Sequence, residues 1–303
     1  MKKLTSVKEF IGLHKRLFIH ILNLSLLIFF INANCNKNDV ITPEDTDITN
    51  ESAMTRVSTE LLKVLCNANT YLIMVANNVN SISGNCPTVT FNSSTITVDY
   101  GSGACAGDID SIRRTGSYSI NYYISSNSDS LAASIIFNNY GVYKVKGTST
   151  DTNLVTMSGI NNFYSKNSIS ESNPYISNYQ SVFYSADNFS TNSGKQETVS
   201  LSLTATIVIN NPQSFTDYNF YLKGSGSAVN QTANISYNYT IDPSFPLNYE
   251  TTCGYPISGK VYLDLNGNRF TVDYSPNNNN CDDVVSITKF GTTKYANLSS
   301  VDF

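Results

Sequence analysis

Two aspartates, Asp99 and Asp273, are the residues of this chain best suited to act as a catalytic pair. Each stands in the tetrapeptide Thr-Val-Asp-Tyr, at 97–100 and at 271–274. Glycoside hydrolysis uses two carboxylates, one of them as the acid and the other as the base or nucleophile. Successive side chains of a β-strand point to opposite faces, so each Asp is expected to face solvent or to bind turn amides. We therefore predict that the two aspartates are structural.

Histidine occurs only at positions 14 and 20, inside an N-terminal segment with the features of a signal peptide. Without that segment the chain lacks the histidine of Ser-His-Asp triads, of histidine zinc centres and of haem ligation. It also lacks a glycine-rich phosphate loop with Lys and Ser or Thr. The sequence thus predicts a protein that is not an enzyme and that carries no cofactor.

An oxygen-rich segment through Asp264, Asn266 and Asn268 has side-chain oxygens on alternate residues, as calcium loops do. The full loop pattern would need Gly and Glu where the chain has Arg269 and Ser275. Asn-Gly between two alternating runs is also the strongest short signal for a β-hairpin. The hairpin is the preferred interpretation, and a metal site formed by the three oxygen-bearing residues is the alternative.

The repeated tetrapeptides are flanked by cysteines, which suggests a decayed internal duplication. Cys86 precedes and Cys105 follows the first copy, whereas Cys253 precedes and Cys281 follows the second. Exported proteins fold in oxidising compartments, where cysteines form disulfides. The repeat therefore predicts the disulfides Cys86–Cys105 and Cys253–Cys281. Cys66 is left on a helix, either as a buried thiol or as an alternative disulfide partner.

Twenty tyrosines give the chain an unusual supply of flat apolar rings with polar tips. Such rings suit a surface that binds sugars or proteins. Tyrosine is also a favoured strand residue, which is the alternative explanation at each position. The candidate ligand-binding residues are Tyr122, Tyr123, Tyr140, Tyr143, Tyr237 and Tyr239.

Residues 1–34 are predicted to be a signal peptide, because basic residues precede an apolar run at 17–31. That run has fifteen residues, fewer than the roughly 20 that a membrane-spanning helix needs. Cleavage before Cys35 would leave a cysteine that can carry lipid, and cleavage after Ala33 is the alternative. We predict lipidation of Cys35 and a lipid-anchored location in the outer membrane. Residues 36–39, Asn-Lys-Asn-Asp, resemble the short signal that follows the lipidated cysteine in surface lipoproteins of Bacteroidetes-type bacteria, which implies a surface-exposed location.

The charge balance of the chain argues against nucleic-acid partners. Of the 19 Lys+Arg and 23 Asp+Glu, five and one lie in the signal peptide, which leaves a formal charge of −8 on the remainder. Binding to phosphates requires clustered basic residues. The expected partners are the outer membrane, through the lipid, and an envelope protein or a glycan.

The periodicity of apolar residues predicts the elements that carry these side chains. Residues 35–53 are rich in Thr, Asp and Asn and read as a flexible tether. Apolar residues recur every three or four positions over 57–79, which predicts an amphipathic helix. The rest alternates with a period of two between polar turns, including separate strands at 132–138 and 141–148.

The predicted fold class is all-β, either an antiparallel sandwich or two related β-halves, with one N-terminal amphipathic helix. The halves would cover about 86–164 and 179–303, with a Ser- and Asn-rich loop at 165–178 between them. No Pro- or charge-rich linker divides the chain. A single helix-plus-β domain over 54–303 is therefore preferred to two separable domains.

Several segments resemble a family of uncharacterised surface lipoproteins of Bacteroidetes-type bacteria. They are 86–90, 96–103, 144–148 and 271–274 with Cys281, and the similarity covers most of the chain after the signal peptide. The resemblance implies a β-rich fold and a cell-surface location, and it implies no reaction.

The predicted location at the cell surface and the missing catalytic residues together predict a non-catalytic surface lipoprotein that binds a protein partner or a glycan. A structural component of an envelope assembly, held there by the lipid and the acidic surface, is the alternative. A hydrolase that uses Asp99 and Asp273 is the least favoured hypothesis, because strand alternation leaves each residue to face solvent or to bind turn amides.

Overall fold

The structure is a computed structural model that describes residues 47–301 with short gaps. The gaps are residues 80, 83–85, 103–104, 106–111, 125–129, 144–153, 167–177, 192–193, 212–215 and 279. Cys35, the signal peptide and the first part of the expected tether lie outside the described residues.

A single α-helix, α1 (Thr49–Ala76), is present in the described part of the chain. Apolar residues at three- and four-residue spacing, such as Val57, Leu61 and Leu65, are fully buried. Every other residue between positions 51 and 66 is buried too, charged residues included. A helix that packs on one face of a sheet would leave a polar stripe in water. The sheet therefore surrounds this part of α1.

The start of α1 corrects the expected boundary of the tether. The helix begins at Thr49, whose backbone N–H donates to Asp47 Oδ1 over 2.9 Å. The tether was expected to continue to Ala53, so this prediction is wrong for residues 49–53. Polar composition suggested a solvated segment there, but tertiary packing buries Glu51, Ser52 and Ala53 inside the sheet.

Fifteen β-strands follow the helix in the described residues. They are β1 Thr88–Phe91, β2 Thr95–Asp99, β3 Arg113–Ile124, β4 Ser130–Tyr143, β5 Leu154–Lys166, β6 Asn178–Thr191, β7 Gln196–Ile209, β8 Tyr218–Asn230, β9 Ile235–Ile241, β10 Leu247–Glu250, β11 Pro256–Ser258, β12 Lys260–Leu265, β13 Asn268–Asp273, β14 Val284–Lys289 and β15 Thr292–Asn297. A 3₁₀ turn at Leu298–Ser300 ends the described chain. The prediction of an all-β antiparallel fold with one N-terminal helix is confirmed.

The strands form one antiparallel sheet in which neighbours along the chain are almost always neighbours in space. The order is β1 to β9 followed by β12 to β15, while β10 pairs with β8 and with β11. The two expected β-halves are joined within this sheet, because β5 pairs with β6 over eleven residue pairs. Residues from Asp47 onward constitute one compact unit.

One face of the sheet packs toward the helix, and the opposite face carries short polar side chains. Strand β7 shows this alternation well: Val199, Leu201 and Leu203 are buried, whereas Ser202 and Thr204 are exposed. Strict period-two alternation is typical of an antiparallel sheet with one solvated face. We call the helix-facing side the inner face and the other side the outer face.

Strand β4 replaces two shorter strands expected at 132–138 and 141–148. It runs without interruption from Ser130 to Tyr143, and residues 144–148 lie outside the described part. The register of the β3–β4 pair shifts at Gly116, whose φ is +70°, opposite Asn139 with a φ of +53°. A Cβ on Gly116 would lie 2.0 Å from the Asn139 carbonyl oxygen. The interruption between the two expected strands therefore corresponds to a β-bulge within the single strand β4.

Candidate functional site

The cysteines pair as the internal repeat predicted. Cys86 is bonded to Cys105 and Cys253 to Cys281, with Cα–Cα distances of 5.9 and 5.6 Å. Cys66 is a buried free thiol on α1, and burial raises its pKa well above the usual value. A raised pKa keeps the thiol protonated and poorly nucleophilic.

The two repeated aspartates bind turn amides. Asp99 Oδ1 accepts the backbone N–H of Gly101 over 2.8 Å, and Asp273 Oδ1 accepts that of Ser275 over 2.9 Å. Asp273 also lies 3.5 Å from the ammonium of Lys260. Each carboxylate stabilises its own turn, which is the structural role expected from strand alternation.

The oxygen-rich segment at 264–268 is a two-residue hairpin between β12 and β13. Asn266 and Gly267 occupy the turn with φ values of +51° and +83°, as the Asn-Gly signal predicted. The Asp264 carboxylate receives two hydrogen bonds from Arg269, at 2.8 and 3.0 Å. Its oxygens are thus occupied by a guanidinium. Among the described residues, no group of three or more His, Cys, Asp or Glu is placed to hold a metal ion.

Three of the six candidate ligand-binding tyrosines are not at the surface, which corrects the expectation for them. Tyr140, Tyr237 and Tyr239 are fully buried on the inner face. Tyr122 and Tyr143 are half-buried. Only Tyr123, with 69% of its surface exposed, is available to a large ligand. Tyr237 and Tyr239 lie two residues apart on β9 and therefore share its inner face, whereas the adjacent Tyr122 and Tyr123 point to opposite faces of β3.

Glu60, in the middle of α1, is held by two strands of the sheet. Arg114 of β3 donates Nε and Nη2 hydrogen bonds to its two carboxylate oxygens, both over 2.8 Å. The Tyr140 hydroxyl of β4 donates to Glu60 Oε1 over 2.6 Å. Burial would raise the pKa of Glu60, but the Arg114 charge and hydrogen bonds, helped by Lys63 and Arg56, lower it to about 2. This cluster fixes the helix against β3 and β4.

A second buried carboxylate, Glu51, lies in the first turn of α1. Its Oε1 atom accepts the Tyr237 hydroxyl and the Lys289 ammonium, each over 3.0 Å. Lys289 also donates to the Asp47 backbone carbonyl over 2.9 Å. Burial and the neighbouring Glu51 carboxylate raise the pKa of Tyr237, so its hydroxyl remains a donor. These contacts connect the start of the helix to β9 and β14.

A third buried carboxylate, Glu197 of β7, is poorly compensated. Its closest hydrogen-bond donor is Asn230 Nδ2, at 3.5 Å from Oε1, and its Oε2 atom has no hydrogen-bond partner. Asn230 Nδ2 also donates to Asn50 Oδ1 over 3.2 Å, at the start of α1. Burial raises the pKa of Glu197 to about 7, and Lys195 partly opposes this.

Sequence reasoning missed these buried charges. The predicted helix covered 57–79 and was expected to bury one apolar face, while Glu51 lay in the predicted tether. The available signal was that Arg56, Glu60 and Lys63 recur at spacings of four and three residues within one continuous segment. Charged residues are seldom buried without partners. Their partners come from strands far away in the sequence, and no local pattern identifies them.

On the outer face, one cross-strand row consists of hydroxyl and amide residues at its described positions. It has a described member on eleven strands of the sheet. Its members are Thr95, Asn121, Ser134 and Asn162 on β2 to β5, and Ser202, Ser225, Thr240, Tyr262, Thr271, Thr288 and Thr293 on β7 to β9 and β12 to β15. We call this set the polar row. It presents regularly spaced hydrogen-bonding groups, because neighbouring strands lie roughly 4.8 Å apart.

Tyr123 lies beside the polar row at the end of β3. It is two residues from Asn121 on the same strand, so both project from the outer face. Asn121 Oδ1 accepts the hydroxyl of Thr95 over 3.0 Å, and Ser134 is its register partner on β4. The adjacent Tyr122 is held in place, since its hydroxyl donates to the Asn92 carbonyl over 3.0 Å. An exposed ring next to amide and hydroxyl groups can stack on a sugar while neighbouring groups bind its hydroxyls.

No family model, curated protein or solved structure matches this chain. Within the described residues, no helix is both long enough and apolar enough to cross a membrane.

Proposed function

We propose that this chain is a non-catalytic lipoprotein, anchored in the outer membrane through Cys35, that binds a glycan on the outer face of its sheet. The observation that supports this proposal is the exposed Tyr123 ring beside Asn121 and the polar row. Recognition of a sugar needs an apolar platform for the ring face and polar groups for the hydroxyls. The buried carboxylates contribute to folding, since their partners connect the helix to the sheet.

The binding proposal is tested by comparing Tyr123→Ala with Tyr295→Ala. The two rings have nearly equal exposure, 69% and 65%, and each lies two residues from a member of the polar row. That member is the amide residue Asn121 for Tyr123 and the hydroxyl residue Thr293 for Tyr295, so the comparison tests whether binding requires the amide beside the ring. Each variant and the unmodified chain are labelled with a fluorophore and applied to an array of bacterial surface glycans. The fluorescence retained on each glycan is then measured. Loss of a stacking contact of about 1 kcal/mol would weaken binding about fivefold.

We expect Tyr123→Ala to lose signal and Tyr295→Ala to retain it. Equal binding by both variants would contradict the assignment of the site. Cross-linking on intact cells complements the array: one reproducible protein partner without glycan binding would favour the alternative, a structural component of an envelope assembly.

The anchor is tested with Cys35→Ala expressed in the native host. The unmodified chain is expected to partition with the detergent phase and to take up a labelled fatty acid. The variant should do neither, because a thioether-linked lipid requires the cysteine. A variant that still partitions with membranes would refute lipidation at Cys35.

A further inference from the structure

The hairpin between β14 and β15 places a large aromatic residue where the backbone disfavours one. Phe290 and Gly291 form the two-residue turn, with φ values of +51° and +80°. Residues with a side chain larger than Gly, Asn or Asp seldom adopt positive φ, because Cβ approaches the following carbonyl oxygen. The Phe290 ring is nevertheless 68% exposed. The position combines backbone strain with an apolar surface in water.

The neighbouring β12–β13 hairpin has the same turn geometry, but its turn residues adopt that geometry without strain. Its turn residues, Asn266 and Gly267, have φ values of +51° and +83°. Asparagine tolerates this conformation, and Asn-Gly is the preferred sequence of such turns. The chain has Phe where this hairpin has Asn. Strained positions of this kind are retained where the side chain has a function.

The location of Phe290 indicates what the ring contacts. The preceding residue, Lys289, donates to the Asp47 carbonyl over 2.9 Å, so the turn lies beside the start of the described chain. Eleven residues separate Asp47 from Cys35. Such a segment spans at most about 40 Å when fully extended. A lipid on Cys35 would therefore keep this end of the sheet within reach of the bilayer surface.

The protein covers only part of the Phe290 ring. The ring packs against the buried Phe270 in a T-shaped arrangement, with a centroid distance of 5.5 Å, and 68% of the residue is exposed. Exposed apolar rings such as Phe suit the boundary between lipid headgroups and acyl chains.

We propose that Phe290 inserts into the headgroup region of the membrane in which the protein is anchored. This inference rests on the proposed lipid anchor and adds a second, protein-mediated contact. The contact would also orient the sheet, with the start of α1 toward the membrane and Tyr123 away from it.

The chain contains no Trp, so a single introduced indole reports its own surroundings. We would prepare Phe290→Trp in the full lipidated protein and reconstitute it into phosphatidylethanolamine–phosphatidylglycerol vesicles with brominated acyl chains. The matched control is Phe245→Trp. Phe245 is also exposed, at 54%, but it lies between β9 and β10 at the opposite end of the strands.

We expect the indole at position 290 to emit at shorter wavelength and to be quenched by the brominated chains. The indole at position 245 should emit as it does in water. Protein that floats with the vesicles while both indoles stay unquenched would overturn the membrane contact and leave the anchor intact. Protein that does not float would overturn the anchor and, with it, this inference.

Discussion

Two carboxylates buried near α1, Glu60 in the middle of the helix and Glu197 on β7, have opposite surroundings. At the middle, Glu60 receives three hydrogen bonds from Arg114 and Tyr140. The Arg114 charge and hydrogen bonds, helped by Lys63 and Arg56, outweigh burial and lower its pKa to about 2. Near the start, Glu197 has one long contact with Asn230, and burial raises its pKa to about 7. Burial is common to both sites, so the donors decide which protonation state folding favours.

The contacts of Glu60 are therefore independent of pH, whereas the contact between Glu197 and Asn230 depends on pH. Glu60 is ionised at any pH at which the protein is handled, and its contacts hold the helix in register with β3 and β4. Glu197 changes charge near neutrality while in contact with Asn230, which binds Asn50 at the first turn of the helix. We therefore expect the start of α1 to be held less firmly as the pH rises.

Removing Glu60 should give the largest effect. Glu60→Ala leaves the Arg114 guanidinium buried without its carboxylate and also removes the acceptor of Tyr140. Loss of one partner of a buried ion pair typically costs about 3 to 5 kcal/mol. Urea unfolding would measure the change in the free energy of unfolding. A loss comparable to that of an exposed carboxylate would show that Arg114 finds other acceptors inside the sheet.

Replacing the whole cluster should cost less than breaking it. The triple variant Glu60→Leu, Arg114→Met, Tyr140→Phe removes every charged or hydroxyl group of the cluster together. Apolar replacements of a buried ion pair are often neutral or stabilising. We expect the triple variant to recover most of the stability lost in Glu60→Ala. If it unfolds as easily as the single variant, the cluster is needed for packing and not only for charge balance.

Glu197 should make stability fall as the pH rises. Its folded-state pKa, about 7, lies above the ordinary value of 4.5, so the contribution is fully present below 4.5 and is lost as the pH rises through 7. The shift corresponds to a loss on the order of 3 kcal/mol over this range. Glu197→Gln should flatten this part of the profile when urea unfolding is compared at pH 5 and pH 8. An unchanged slope in the variant would assign the pH dependence to other groups.

The sequence predicted the class of fold, the disulfides and the Asn-Gly hairpin because each depends on local or repeated patterns. Period-two alternation identifies strands, and the duplicated Thr-Val-Asp-Tyr segments pointed to both cysteine pairs. The enclosure of α1 could not be predicted in this way, since it depends on the curvature of the whole sheet. For the same reason the partners of Glu60, on β3 and β4, lie 54 and 80 positions away and leave no local signal. Of the six tyrosines predicted to bind a ligand, only Tyr123 is largely exposed in the structure.

The exposed ion pair Arg269–Asp264 is expected to contribute least to the free energy of unfolding. Arg269 binds Asp264 through two hydrogen bonds, the same bidentate geometry that Arg114 uses for Glu60. The Arg269 side chain is 56% exposed, whereas that of Arg114 is fully buried. Water and salt screen exposed charges, so the bidentate geometry of a surface ion pair contributes little to the free energy of unfolding. We expect Asp264→Ala to shift the urea midpoint by no more than the error of measurement. A shift close to that of Glu60→Ala would mean that bidentate geometry, and not burial, determines the strength of the Glu60 cluster.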